Sequence, residues 1–332
     1  MTRAGKQILL STAALAVIAL SGCRVEHTGA GDGSGPSITA DRKFTVSGPV
    51  RIELVNGAGT TQVTSGPAGE VQIHAEFRAK SRLFGDGQRN LDRLARNPPI
   101  SQEGNFIRIG GGGERGSGVV VNYTVTVPTE TEIHATGGSG TVEVKGIKGP
   151  ATFTVGSGDI TAQNIGGDVQ AIAGSGSVEL SQIQGHVQAT AGSGDLKLSG
   201  IHGDIRAQTG SGEVQIDQPG DAVVVSSGSG GITVGQVSTD LRLHTTSGDV
   251  TVEGNPQASA YWDVRTSSGS VSLHVPPTSS FRLYARTSSG DIDTEIPITM
   301  EGTTGKHELR ARIGDGKGRV EVETSSGKIS LR

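Results

Sequence analysis

One spacing dominates the chain. A Ser-Gly pair recurs so that its glycine falls at positions 140, 158, 176, 194, 212, 230 and 248, six consecutive steps of 18 residues. The step then lengthens to 21, reaching Gly269 and Gly290, and a last copy, SSGKI, places Gly327 near the C-terminus. A second series, Gly149, Gly167, Gly185 and Gly203, lies nine residues after the first four. Such a period marks a repeat architecture, in which one unit cannot bury its own apolar face but stacked units bury a shared one.

The apolar residues keep the same frame. Ile160, Val178, Leu196, Val214, Ile232 and Val250 form one column, and Ala162, Leu180, Leu198, Ile216, Val234 and Val252 form the next. The other half of the unit supplies Val169, Val187, Ile205, Val223 and Leu241, then Ala171, Ala189, Ala207, Val225 and Leu243. Within each segment apolar and polar residues alternate, the period-2 pattern of a strand with one buried face. The expected fold is therefore all-β: a parallel β-solenoid (β-helix) of ~18-residue two-strand coils stacked ~4.8 Å apart. The crossover rule for parallel strands predicts a right-handed coil. About ten coils from Gly137 onward predict a rod of ~45 to 50 Å.

Both ends depart from the repeat. Residues 41–136 alternate as strands in RIELV, EVQIHAEF, NFIRIG and VVVNYTVTVP, with one short helix predicted over 86–96 and ended by Pro98 and Pro99. Residues 137–332 form the repeat region with a C-terminal cap. There Tyr261, Trp262, Phe281 and Tyr284 gather where the coil widens, and are expected to plug the end of the core. The SSGDI-type repeats, the N-terminal strand pairs with one helical insertion and the ending GDGKGRVEVETSSGKISLR resemble the bacterial β-strand-repeat proteins labelled putative adhesins. The resemblance covers roughly residues 44–332 and implies a secreted or envelope-attached β-solenoid. It carries no catalytic residue.

The N-terminus reads as a targeting segment. Arg3 and Lys6 precede a 13-residue apolar run, Ile8 to Leu20, too short for the ~20 residues that span a bilayer and suited to a signal peptide over 1–22. Leu20-Ser21-Gly22-Cys23 resembles the bacterial lipoprotein signal, which implies cleavage before Cys23 and its acylation. Cys23 is the single cysteine, so no intramolecular disulfide is available. Residues 23–40 have linker composition and are expected to tether the rod to the membrane. Arg24 follows the cysteine; in a double-membrane bacterium, the absence of Asp there implies the outer membrane or cell surface by resemblance to lipoprotein sorting. Loss of Arg3 and Lys6 moves the net charge from -4 to -6. With no basic run and few aromatics, nucleic acid is an unsuitable partner.

Candidate chemistry is sparse. Calcium-binding nonapeptides need a recurring Asp two residues beyond the last Gly, whereas here the residue after the Ser-Gly pair reads Asp159, Ser177, Asp195, Glu213, Gly231, Asp249. A solvated turn accounts better for that column. Asp168, His186 and Asp204 stand one coil apart at the opposite turn and are weak metal candidates, a surface charge ladder being the simpler reading. GGGERG, from Gly111 to Gly116, matches a dinucleotide motif literally, but a strand-like stretch follows it instead of the helix that the chemistry needs. The outward column Thr161, Glu179, Lys197, Gln215, Thr233, Thr251 is too mixed for an ice-binding face. The uniform coils leave little room for the inserted loops of a polysaccharide-cleaving β-helix.

These readings lead to a non-enzymatic, lipid-anchored envelope protein without cofactor, presenting a solenoid surface to a glycan, cell-wall or protein ligand. The turns TTSGD, TSSGS and TSSGD between 245 and 291 are its candidate contact strip, although Ser and Gly also simply suit tight turns. The alternative is a regulatory module sensing envelope stress or an antimicrobial; a polysaccharide-acting enzyme comes third.

Overall fold

The computed structural model describes residues 37–79, 90–91, 93–94, 96–111, 118–301 and 305–332. Its strands form two sheets, one of 14 and one of 15, whose inner faces enclose a single apolar core. In the regular stretch each coil contributes one strand to either sheet. Ala151–Val155 lies in the 15-stranded sheet and Ile160–Ile165 in the 14-stranded one; Val169–Ala173 and Val178–Ile183 repeat the pair one coil on. Pairing is parallel and in register at the 18-residue period, Ile160 on Val178 and Val178 on Leu196. Every residue of the four apolar columns is buried.

A fifth buried column, Ile165, Ile183, Ile201 and Val237, breaks strict alternation, since each follows an inward residue by three positions. The cause is a left-handed residue just before it: Asn164 (φ 56°), Gln182 (56°), Gly200 (62°) and Gln236 (55°). A residue there is skipped in the pairing, so the next side chain turns inward. Left-handed backbone at a Gln is uncommon and unfavourable, and burial of one more aliphatic side chain per coil, about 1.5–3 kcal/mol, offsets it.

The widening from 18 to 21 residues is also resolved. Leu241 pairs with Trp262 and Val250 with Val271, so the three extra residues lie in the turn before Tyr261. The four aromatics divide by face rather than forming one plug. Trp262 and Phe281 are fully buried within the stack, and the Trp262 Nε1–H donates to the Thr239 carbonyl at 2.8 Å. Tyr261 and Tyr284 are half-buried on the outer face.

At both ends the stacking order departs from chain order. Val50–Ala58 lies between Phe106–Gly110 and Thr131–Ser139, and Thr61–Gly66 lies between Val119–Pro128 and Val142–Lys145. One coil near the N-terminus thus sits between two coils that follow each other later in the chain. The C-terminus repeats the device. Gly318–Thr324 lies between Tyr261–Thr266 and Phe281–Thr287, and Ile329–Leu331 lies between Val271–His274 and Ile292–Thr294. The stack counts twelve two-strand coils in all, the ten expected and two from residues before 137, which give a rod of ~53 Å.

Antiparallel strands close both ends. Glu70–Ala79 pairs with Val119–Pro128, and Ser37–Thr45 pairs with Glu70–Ala79. That outermost strand begins at Ser37, inside the stretch expected to act as tether. At the far end, Glu308–Ile313 runs antiparallel to Phe281–Thr287 and carries the two-residue strand Thr299–Met300 on its edge. The described residues between 90 and 96 are helical, with Leu91 and Leu94 buried in the core. Among the described residues no helix is long and apolar enough to cross a membrane.

Candidate functional site

The Ser-Gly turns are held by three devices, all structural. First, the glycines admit no side chain. A Cβ on Gly158, Gly176, Gly194, Gly212 or Gly248 would lie 1.8–2.0 Å from the carbonyl oxygen of the equivalent glycine one coil back. None of these glycines has left-handed backbone, so close approach of successive coils, and not conformational freedom, selects the residue.

Second, the acid after the glycine serves the backbone. The Ser177 N–H donates to Asp159 Oδ1 at 2.9 Å, Glu213 N–H to Asp195 Oδ1 at 2.9 Å, and Ser270 N–H to Asp249 Oδ1 at 2.8 Å. Each carboxylate therefore satisfies the amide of the next coil at the point where the ladder opens into a turn. Third, a buried hydroxyl replaces the aliphatic residue three positions before the turn glycine from coil 209 onward. Thr266 Oγ1 donates to the Gly248 carbonyl at 3.0 Å and accepts from the Gly269 N–H at 3.2 Å. Thr209, Thr245, Thr324 and Thr287 repeat the arrangement.

The candidate contact strip is therefore partly internal. In TTSGD, TSSGS and TSSGD the first threonine is buried, and only the residues that follow reach solvent. The inserted C-terminal coil also enters the strip. The Ser326 N–H donates to the Ser267 carbonyl at 3.1 Å and the Ser289 N–H to the Ser325 carbonyl at 3.0 Å, so the edge runs 247, 268, 326, 289.

The weak metal candidates do stand together, at the opposite turn. Asp168 Oδ1 accepts from the His186 N–H at 2.8 Å, and His186 Nδ1 accepts from the Asp204 N–H at 3.0 Å. His186 Nδ1 lies 3.6 Å from Asp204 Oδ2. An Asp168 oxygen and the His186 Nδ1 lone pair are thus engaged by backbone, the same role that the acids play at the Ser-Gly turns. Among the described residues, no three His, Cys, Asp or Glu side chains converge in a metal-binding group. Cys23 lies outside the described residues, as does GGGERG beyond Gly111; the strand Val119–Pro128 follows that motif.

What remains for recognition is the outer faces. On the 14-stranded sheet the column Thr161, Glu179, Lys197, Gln215, Thr233, Thr251 runs straight along the rod. On the other sheet, at the C-terminal end, arginine and tyrosine cluster. Tyr261 O–H donates to Glu321 Oε2 at 2.6 Å, and the Arg319 guanidinium lies 5.4 Å from the Tyr261 ring centre. Arg310 lies 5.3 Å from the Tyr284 ring in the same way. The Glu321 carboxylate pushes the Tyr261 phenol up to about 12, with burial and Asp263 adding to it. Conversely, the Tyr261 hydroxyl and then Arg319 hold Glu321 below the usual carboxylate range. Sequence reading missed this cluster because its members come from strands 60 residues apart, brought side by side only by the inserted coil.

The fold and its faces define a class: a β-solenoid rod with long polar flanks and closed ends. The chain belongs to the Toastrack DUF4097 family, whose pattern matches residues 102–332. Among curated proteins none matches it. The solved structures similar to it include the following three. One is described as a putative adhesin from Bacteroides fragilis, with 14% identity over 65% of this chain and 96% of that one, at a TM-score of 0.41. A putative cell adhesion protein from Clostridium sporogenes gives 12% identity, 88% and 98% coverage and a TM-score of 0.22. A putative lipid binding protein from Parabacteroides distasonis gives 16%, 72%, 96% and 0.36.

Proposed function

We propose that the protein is a non-enzymatic component of a bacterial cell envelope, held at a membrane through lipidated Cys23, whose rod presents its flanks to an envelope or surface polymer. One observation carries this reading: the stack is uninterrupted. From Ala151 to Gly254 each strand pairs with its counterpart one coil on. The Ser-Gly-turn acids Asp159, Asp195 and Asp249 bind backbone amides instead of facing a cleft. A catalytic site needs convergent groups around a concavity, whereas a rod of constant cross-section supplies a long, repetitive contact surface.

The test is retention of the purified full chain on isolated cell-wall and surface polymer, together with palmitate labelling of the wild type and Cys23→Ala. Retention, and label that disappears in C23A, are expected. If no polymer is retained while deletion of the chain alters envelope-stress gene expression, the binding role is wrong and a regulatory one replaces it. Turnover of a polysaccharide abolished by a single substitution would refute the non-enzymatic part.

A further inference from the structure

The C-terminal flank of the 15-stranded sheet holds an arrangement that folding alone disfavours. Arg282 pairs directly with Arg312 on one side and with Arg319 on the other. Their neighbours in sequence, Phe281, Leu283, Ala311, Ile313 and Val320, are buried, so all three arginines project from the outer face. The row places three cations across ~9.6 Å, two strand spacings, and like charges directly opposite are destabilising.

The local acids do not neutralise it fully. Arg319 Nε donates to Glu321 at 2.8 Å, but Glu321 also accepts from Tyr261. Arg312 Nε lies 3.4 Å from Glu301 Oε1, yet it is buried without a hydrogen-bond partner. For Arg282, among the described residues, there is no carboxylate in ion-pair reach. Farther along the same flank Arg242 and Arg206 also project outward, separated by Val224 and hence two coils apart, with Asp263 directly opposite Arg242. Those two stand in the neighbouring column, which continues through Asp263 and Glu321 to Tyr284, so the cations concentrate along the rod axis in the row of Arg312, Arg282 and Arg319 alone. Arg319 is pre-positioned by stacking on Tyr261, which lowers the ordering cost of binding.

From this geometry we propose that the row formed by Arg312, Arg282 and Arg319 binds an anionic polysaccharide, whose oxyanion groups seat on successive guanidinium groups. The proposal rests on the polymer-binding reading above and names its ligand class. A linear chain with charges at intervals matches cations spaced along an axis, and guanidinium groups bind carboxylate or phosphate in bidentate fashion. A lipid surface fits less well, because among the described residues the large exposed apolar side chains are few, Ile172, Val224 and Met300, and only Met300 lies near the row.

The experiment measures binding of the full chain to alginate, a polyuronate, with dextran and phosphatidylglycerol vesicles as comparisons. Alginate is expected to bind, dextran not, and Arg282→Gln to weaken alginate about tenfold while lowering the salt-dependence slope by about one unit. R282Q is also expected to keep or raise the melting temperature in low salt, which a merely structural arginine would not do. Should R282Q fail to fold, Arg312→Gln, in the same row, carries the same test on slope and affinity. Binding of alginate that is indifferent to these substitutions overturns the proposal, as does binding to vesicles alone. Retention of envelope polymer without alginate binding overturns the ligand class and leaves the proposed function standing; loss of both removes the two together.

Discussion

Replacing Gly194 by alanine discriminates between two explanations of the Ser-Gly turn that differ in sign. If the glycine served only conformational freedom at a position without left-handed backbone, alanine would stiffen the unfolded chain and stabilise the protein by about 0.4–1 kcal/mol. The structure requires the opposite. The added Cβ would lie 1.9 Å from the Gly176 carbonyl oxygen and 2.5 Å from its carbon. Reaching even 3.0 Å from that oxygen means a displacement of 3.0 − 1.9 = 1.1 Å. A movement of that size carries the Gly192–Ala173 and Ser193–Gly174 backbone hydrogen bonds, now 3.0 and 3.3 Å, out of range.

Two such bonds contribute about 2 kcal/mol net, and partial uncovering of Ala191 and Leu196 adds about 1 kcal/mol. Against the unfolded-state gain, Gly194→Ala is expected to destabilise by about 2–3 kcal/mol. Urea unfolding followed by circular dichroism measures this, with exposed Ser193→Ala as a control expected within about 0.5 kcal/mol of wild type. A G194A protein as stable as wild type, or more so, would refute the clearance argument.

Removal of residues 318–332 takes out a coil from inside the stack, so the chain should lose protection over 261–313 and not merely fray at its end. Limited proteolysis of the truncated chain checks this, and resistance equal to wild type would contradict the inserted order. Thr266→Val keeps the shape but leaves the Gly269 amide unpaired, and should cost about 1–3 kcal/mol by thermal melts, against almost nothing for neighbouring Ser267→Ala. The Tyr261 phenol, raised to about 12 by its hydrogen bond to Glu321, stabilises fully below the ordinary tyrosine range; that share disappears as pH rises through 12. Wild type should therefore lose stability relative to Tyr261→Phe between about pH 10 and 12, and parallel pH profiles would show the pair to be inert. Glu321, held low, acts at the other limit: its contribution is present above the ordinary Glu value and fades as pH falls through its folded value.

The repeat was legible because each coil must present the same apolar pair to the same core, which leaves a spacing of 18 in the order of residues. Columns such as Ile160 to Val250 follow directly from that constraint. The function of the Asp159 column was half legible. Its interruption by Ser177 and Gly231 argued against a metal ladder, but the amide acceptor role needs the distance to the next coil. Likewise, Thr266 and its equivalents read as exposed serine-threonine turns, because nothing in TSSG reveals that its first hydroxyl faces inward.

By itself, then, the sequence determined the all-β two-strand coil, its period and the residues lining the core, since burial and hydrogen bonding act between neighbours one repeat apart. Only the tertiary structure decided the order of coils at the two ends. Residues 318–331 resemble any other repeat, and a strand carries no local mark of which edge it will join. Their insertion beside Tyr261 and Phe281 depends on closing a long loop around an open slot. That placement aligns Arg319 with Arg282 and with Tyr261 and brings Glu321 within reach of the Tyr261 hydroxyl, and so assembles the flank on which recognition is proposed to occur.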